Sequence, residues 1–161
     1  MKKIVIRFDK NLEKDLIEVV AKEDNPLVRN IENYINKNFP NSINCYKNNQ
    51  LFRILIDDIY RIYCENSFVY LNTEDQKFEI KDRLYEIESK LNLFSFFKIN
   101  KSELINMNKV KDFDFTYSGK VLVHLKNGHI SIVSRRNINK LKDYLGVKWY
   151  ERKKHNEKFF E

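Results

Sequence analysis

Two short polar bursts hold most of the side chains that could meet a ligand. The first lies in SFFKINKSELIN (95–106) and consists of Lys98, Asn100, Lys101 and Ser102. The second lies in HISIVSRRNINKL (129–141) and consists of Ser134, Arg135, Arg136 and Asn137. Lysine neutralises phosphates, and asparagine and serine donate to phosphate oxygens or reach base edges. An arginine fork can take a phosphate or the O6/N7 edge of guanine. Each burst ends an apolar, strand-like run. The second stands at a strand-to-helix junction, where Ser134 or Asn137 can cap the helix and free backbone N–H groups favour a phosphate. Phe94, Phe96 and Phe97 should anchor the first burst, and Asn106 should tie down a turn through side chain–backbone bonds. The bland reading of each burst is a solvated loop for KINKS and a capped helix with solvated arginines for SRRN.

Little else in the chain could do chemistry. His124, His129 and His155 have no carboxylate or cysteine at a spacing that suggests a metal site or a triad. His124 alternates with Val121, Val123 and Leu125, and His129 opens the next strand, so both read as surface or packing residues. Asp57-Asp58 reads as a strand-entry turn. There is no glycine-rich phosphate loop. Cys45 and Cys64 fit no metal spacing and each reads as a buried, reduced thiol in a cytoplasmic protein, with a redox pair as the alternative. The chain is therefore read as no enzyme, with no cofactor, no metal and no small-molecule substrate.

The elements that must position the bursts fit one domain of 161 residues that is 42% apolar and 14% aromatic, enough to fold around a core. Alanine occurs once, at Ala21, and glycine three times; the abundance of Asn, Lys and Ile reads as the codon bias of an AT-rich genome. Charge is unevenly spread. Residues 1–80 hold 12 Lys/Arg against 13 Asp/Glu, whereas residues 81–161 hold 18 against 10. The whole excess of +7 thus comes from the half with both bursts, which favours a polyanionic partner. No apolar run approaches the ~20 residues of a membrane span. The start MKKIVIRFDKN is too short for a signal-peptide core and reads as a first strand.

A strand is expected at 2–8, an ambiguous helix or strand at 11–24, and a helix from about Asn25 to Asn38. Asn25 should cap that helix, with Leu27, Ile31, Tyr34 and Ile35 on one face. Short strands follow at 43–47, 51–56, 59–65, 68–73 and 77–82, with tight turns at Asn48-Asn49 and Asn66-Ser67. A helix at 84–92 should bury Leu84, Ile87 and Leu91. Strands at 94–99, 103–107, 109–119, 120–128 and 129–134 lead to a helix at 136–146 closed by Gly146. The class is mostly β with short helices, and no helix-turn-helix reader is evident.

The order of these parts resembles the LytTR family, the β-rich DNA-binding domain of bacterial response regulators. The resemblance rests on IDDIYRIYCENSFVYLNT, KFEIKDRLYEIESKL, FFKINKSELINMNKV, FDFTYSGKVLVHLKNG and ISIVSRRNINKLKDYLG, in that order. KINKSELIN is similar to the family's R-x-[HS]-[RK]-S-x-[IV]-V-N. The resemblance implies an elongated, multi-sheet β fold over 43–146, with a small α/β extension at 1–42 and a basic, aromatic tail at 147–161. It implies that loops enter successive major grooves of duplex DNA. Lys101 and Arg136 would fall at base-reading positions, Lys98, Ser102 and Arg135 would hold phosphates, and the Asn66-Ser67 turn would be a third contact. Phe68 departs from the His or Arg found near that position in other members, and Asn100 replaces a His or Ser.

The chain most resembles stand-alone members without a receiver domain. For these the resemblance implies a sequence-specific transcriptional regulator that binds promoter repeats as a homodimer, governed by a small membrane-protein partner. The 1–42 segment would be the dimerisation or partner surface. A competing reading is a protein-interaction module or anti-activator that keeps the scaffold without reading DNA. An RNA-binding β protein ranks lower, because it wants aromatics facing outward on a sheet and these alternate into apolar faces.

Overall fold

A computed structural model of the protein describes residues 18–38, 41–91, 95–115 and 119–147. The expected first strand (2–8), half of the ambiguous 11–24 segment, residues 116–118 of the expected 109–119 strand, Phe94 and the tail from Lys148 lie outside the described residues. The chain forms two units, residues 1–38 and 39–161.

In the first unit, residues 18–21 form neither helix nor strand, and helix α1 spans Pro26–Asn38. Asn25 caps it: its Oδ1 accepts from the N–H groups of Leu27 (3.0 Å) and Val28 (3.2 Å). The expected apolar face needs correction. Ile31 and Ile35 are half-buried together with Val28, whereas Leu27 and Tyr34 are exposed. A 28/31/35 stripe follows the helical period, while 27 and 34 lie on a neighbouring stripe.

The second unit is mostly β. Strands β1 (Ser42–Lys47), β2 (Gln50–Leu55), β3 (Arg61–Glu65), β4 (Phe68–Asn72), β5 (Lys77–Ile80), β6 (Phe96–Asn100) and β7 (Glu103–Asn106) form one sheet, in the order β2-β1-β5-β4-β3-β7-β6. Strands β8 (Val110–Asp114), β9 (Val121–Leu125) and β10 (Ile130–Val133) form a second, in the order β10-β9-β8. Helix α2 (Leu84–Leu91) follows β5 and α3 (Arg135–Leu145) follows β10. Asp57-Asp58 lies in a single 3₁₀ turn, Ile56–Asp58, at the entry to β3.

Local chemistry explains the hairpins. A two-residue type I′ turn needs positive φ at both central residues, and it matches the twist of the flanking strands. Asn48 (50°) and Asn49 (62°) supply this between β1 and β2, as do Asn66 (50°) and Ser67 (69°) between β3 and β4. Asparagine tolerates that region because its short amide bonds locally. Gly146, at φ 65°, ends α3; its N–H donates back to the carbonyls of Asp143 and Lys142.

Each face of the large sheet has its own core. On one face Ile62, Leu71, Phe78 and Leu104 pack with Leu84, Ile87 and Leu91 of α2. On the other, Ile99 and Ile105 pack with Val121, Val123 and Leu125 of β9, Val133 of β10 and Leu141 of α3. Phe96 and Phe97 therefore diverge: Phe96 joins the first core, and Phe97 joins the second, its ring 5.4 Å from that of Tyr144. The small sheet and α3 pack on the second face over β6 and β7, and the turn between β9 and β10 reaches the end of β4, where Asn127 Nδ2 donates to the Thr73 carbonyl at 3.4 Å.

The expectation that Phe and Tyr turn into apolar faces is partly wrong. Across the second face runs the row Tyr46↔Glu79↔Tyr70↔Tyr63↔Glu103, buried at its Tyr63–Glu103 end and open to solvent at Tyr46. Phe68 lies on the same face, and Phe68 and Tyr46 are exposed. Strand period alone cannot say which face a neighbouring layer will cover. Cations already occupy this face: Lys77 Nζ lies 3.9 Å from the Tyr70 ring centre and Arg61 Cζ 3.9 Å from that of Tyr63.

Candidate nucleic-acid interface

The two bursts, which begin 36 residues apart at Lys98 and Ser134, become one site because β10 ends beside β6. Three hydrogen bonds join them. Ser134 N–H donates to the Ile99 carbonyl at 2.8 Å, Asn100 Nδ2 to the Ile132 carbonyl at 3.2 Å, and Asn137 Nδ2 to the Lys98 carbonyl at 2.9 Å. The result is an open cleft of about 470 Å³ lined by Lys98, Asn100, Lys101, Ser134, Arg135, Arg136 and Asn137. Every residue singled out in the two sequence bursts except Ser102 lines it.

Their roles divide by geometry. Lys101 and Ser102 form the tight turn between β6 and β7, with a bulge in β6 between Lys98 and Asn100. Lys101, Arg135 and Arg136 are exposed. None of these three side chains forms a hydrogen bond or ion pair with the described residues. Arg135 and Arg136 open α3, whose first turn contains no acidic residue. Two cations at the positive end of a helix dipole are unfavourable in the free protein. Ser134 sits at the cap position, but its hydroxyl makes no capping bond. The helix start thus keeps N–H groups and two guanidinium groups directed at solvent, an arrangement that an anion relieves.

The other polar residues are tied internally. Asn100 Oδ1 accepts from the Ser102 N–H (2.9 Å) and hydroxyl (3.1 Å), which shapes the Lys101 turn. Asn137 is held by its bond to Lys98. Lys98 itself is ion-paired with Glu88 of α2. Asn106 behaves as expected: its Nδ2 donates to the Ile59 carbonyl at 2.9 Å, and its Oδ1 accepts from the Asn108 N–H at 3.1 Å.

The Asn66-Ser67 turn lies at the same end of the large sheet as Lys101-Ser102. Tyr63 pairs with Glu103, and Cys64 N–H donates to the Ser102 carbonyl at 2.8 Å. Both of its turn residues are exposed. One end of the sheet therefore presents three corners: the β3–β4 turn, the β6–β7 turn and the start of α3.

Sequence reasoning missed Glu103, Arg61, Ser131 and Glu88. Glu103 is buried between the sheets, where its Oε1 accepts from Arg61 Nη1 at 3.0 Å and from Ser131 Oγ at 2.7 Å. The available signal was strand phase: Glu103 shares a face with the core residue Ile105, so its charge needed a partner. Nearby His129 resists protonation, chiefly through burial and then through the charge of Arg61, with Glu103 opposing. His124 is paired with Asp112. Among the described residues no group of His, Cys, Asp or Glu could hold a metal ion.

Known proteins share this architecture. A solved LytTr DNA-binding domain from Bacillus cereus superposes with a TM-score of 0.63 at 20% identity, over 66% of this chain and 98% of that one. An uncharacterized HTH-type transcriptional regulator of Staphylococcus aureus strain NCTC 8325 is 28% identical over 148 residues, 91% of this chain and all of the relative. A protein of the same description from strain MSSA476 is 29% identical over 132 residues, 81% of this chain and 89% of its own length. The helix-turn-helix of that description has no counterpart among the described residues here, where strands separate α1, α2 and α3. The LytTr DNA-binding domain family matches residues 49–146, more than half of the sequence and all three corners, and the chain belongs to that family.

Proposed function

We propose that this protein regulates transcription by binding specific duplex DNA with the three corners at one end of its large sheet. Lys101 and Arg136 read base edges, Arg135 holds a phosphate, and the Asn66-Ser67 turn supplies a further backbone contact. The observation that carries this reading is the cleft itself: two cationic segments far apart in sequence converge, and among the described residues Lys101, Arg135 and Arg136 have no carboxylate partner. Uncompensated like charge at a helix start costs stability and is retained where it meets an anion. Asn100 and Asn137 belong to the scaffold of the cleft in this reading, and Lys98 is a secondary contact because Glu88 shares its charge.

Two copies on repeats one helical turn apart would give the specificity of a promoter site. The N-terminal segment 1–42 is then the surface for self-association or for a regulatory partner such as a small membrane protein, and the protein works in the cytoplasm. No described helix is long and apolar enough to cross a membrane. The test is affinity selection of random duplexes by the purified full chain, followed by titration of selected and random DNA over a salt series. Enrichment of a repeated motif supports the reading. Equal affinity for selected and random duplexes, or none for either, overturns it.

A further inference from the structure

We infer that Glu103 is a positioning residue that sets how the Lys101 corner meets the Arg135–Arg136 corner, and so determines which DNA sequences fit. This rests on the proposal that the cleft reads DNA. Glu103 is only 8% exposed, at the first position of β7. Its two oxygens collect donors from three other strands. Oε1 takes Arg61 Nη1 from β3 and Ser131 Oγ from β10; Oε2 faces Asn100 Nδ2 of β6 at 3.4 Å. Arg61 is further held by Asn72 Oδ1 at 3.2 Å and lies against Tyr63.

Each of these links leads to a corner. Asn100 shapes the Lys101 turn through Ser102 and holds the Ile132 carbonyl. Ser131 lies next to Ile132 in the strand that delivers Arg135 and Arg136. The carboxylate is therefore shared by the strands beneath both corners, one in each sheet. Packing alone does not require a charge here. Buried ion pairs can often be replaced by apolar residues without loss of stability, because desolvation offsets their attraction. Apolar contacts, however, are non-directional and allow small slips, whereas three donors converging on one carboxylate admit one alignment. A base-reading lysine and arginine need that alignment, since a hydrogen bond weakens steeply off its axis. Charge in the cleft is unaffected by this device, so specific binding and non-specific binding should respond differently.

The experiment compares the full-length protein with Ser131→Ala, Glu103→Gln and the apolar set Arg61→Met, Glu103→Leu, Ser131→Ala. Dissociation constants are measured on a selected and a random duplex over a salt series, with thermal melting of each protein alongside. The expected result is a loss of about tenfold in the selected-to-random ratio for variants that melt like the parent, the size of one lost base contact. Affinity for random DNA and the salt slope should stay within about twofold, because no cleft cation is removed. An unchanged ratio in the folded variants overturns the inference. So does a parallel loss on both duplexes, which would mark a merely structural role. Ser131→Ala removes a single hydroxyl and keeps the test decisive if the larger changes unfold the protein. Failure of the parent itself to discriminate the two duplexes would instead refute the DNA-reading proposal.

Discussion

Lys98 and Lys101 are three residues apart in one burst, yet the structure predicts that they contribute differently to DNA binding. Each phosphate neutralised on duplex DNA adds about −0.9 to the slope of log K against log salt. On a random duplex, where no base edge is matched, Lys101, Arg135 and Arg136, which have no ion-pair partner among the described residues, would each fall on a phosphate and supply a slope of about −2.7, or roughly a 40-fold loss between about 50 and 200 mM salt. Lys101→Ala should lower the slope by about 0.9 and leave roughly a 12-fold loss over the same range. Lys98 is paired with Glu88, and both side chains are a little over one-third exposed (38% and 39%). Such a pair is worth about 0–1 kcal/mol, so a phosphate can draw Lys98 away. The carboxylate nevertheless remains beside it and cancels most of its charge. Lys98→Ala should therefore change the slope by well under half the Lys101 effect, and Glu88→Gln should steepen it toward about −3.6. Fluorescence anisotropy on a random duplex over a salt series measures all four proteins. Equal slope losses for Lys98→Ala and Lys101→Ala, with no change for Glu88→Gln, would refute the reasoning.

Arg136→Ala should cost about 1–3 kcal/mol on the preferred site and relax selectivity at one base pair; equal loss on random DNA would demote Arg136 to a phosphate contact. Leu141 is fully buried where α3 meets the sheets, so Leu141→Ala should cost about 2–5 kcal/mol in urea unfolding, and a cost below about 1 kcal/mol would mean that α3 is not packed through it. Burial pushes the Cys45 thiol up to about 11, whereas Cys64, expected to be buried, is exposed at the turn end of β3; thiol titration of the native protein should find one fast-reacting cysteine, with the second appearing only in denaturant. Folding lowers the His129 pKa below its ordinary 6.5. Between that lowered value and 6.5 the unfolded chain binds more protons, so stability is complete above about pH 6.5 and falls as the pH drops through this window. His129→Asn should remove that part of the pH dependence in denaturant melts, and an unchanged profile would refute it.

The sequence by itself determined the local elements and the chemistry of the bursts. Asn48-Asn49 and Asn66-Ser67 announce hairpins because few residues accept positive φ, and Asn25 and Gly146 mark helix ends through their own bonding. These signals depend on neighbours within a few residues, and the observed bounds of β1 to β7 and β10 follow them closely, whereas β8 and β9 end short of the expected 119 and 128. The identity of Lys101, Arg135 and Arg136 as candidate contacts was equally legible, because charge type needs no fold to be read. Tertiary structure alone decided which polar groups are free. Asn100 and Asn137 look like ligand-binding amides in sequence, but they bond to strands that only folding brings near. Lys98 loses its independence to Glu88, ten residues away on α2. Tyr46 and Phe68 follow strand period correctly, but the small sheet covers only part of their face and leaves them in solvent. Single bonds of the Glu103 network span up to 42 positions of sequence. Hydrogen bonds and ion pairs act over about 3 Å, so a linear pattern can propose partners, and only the packing of one sheet on another selects among them.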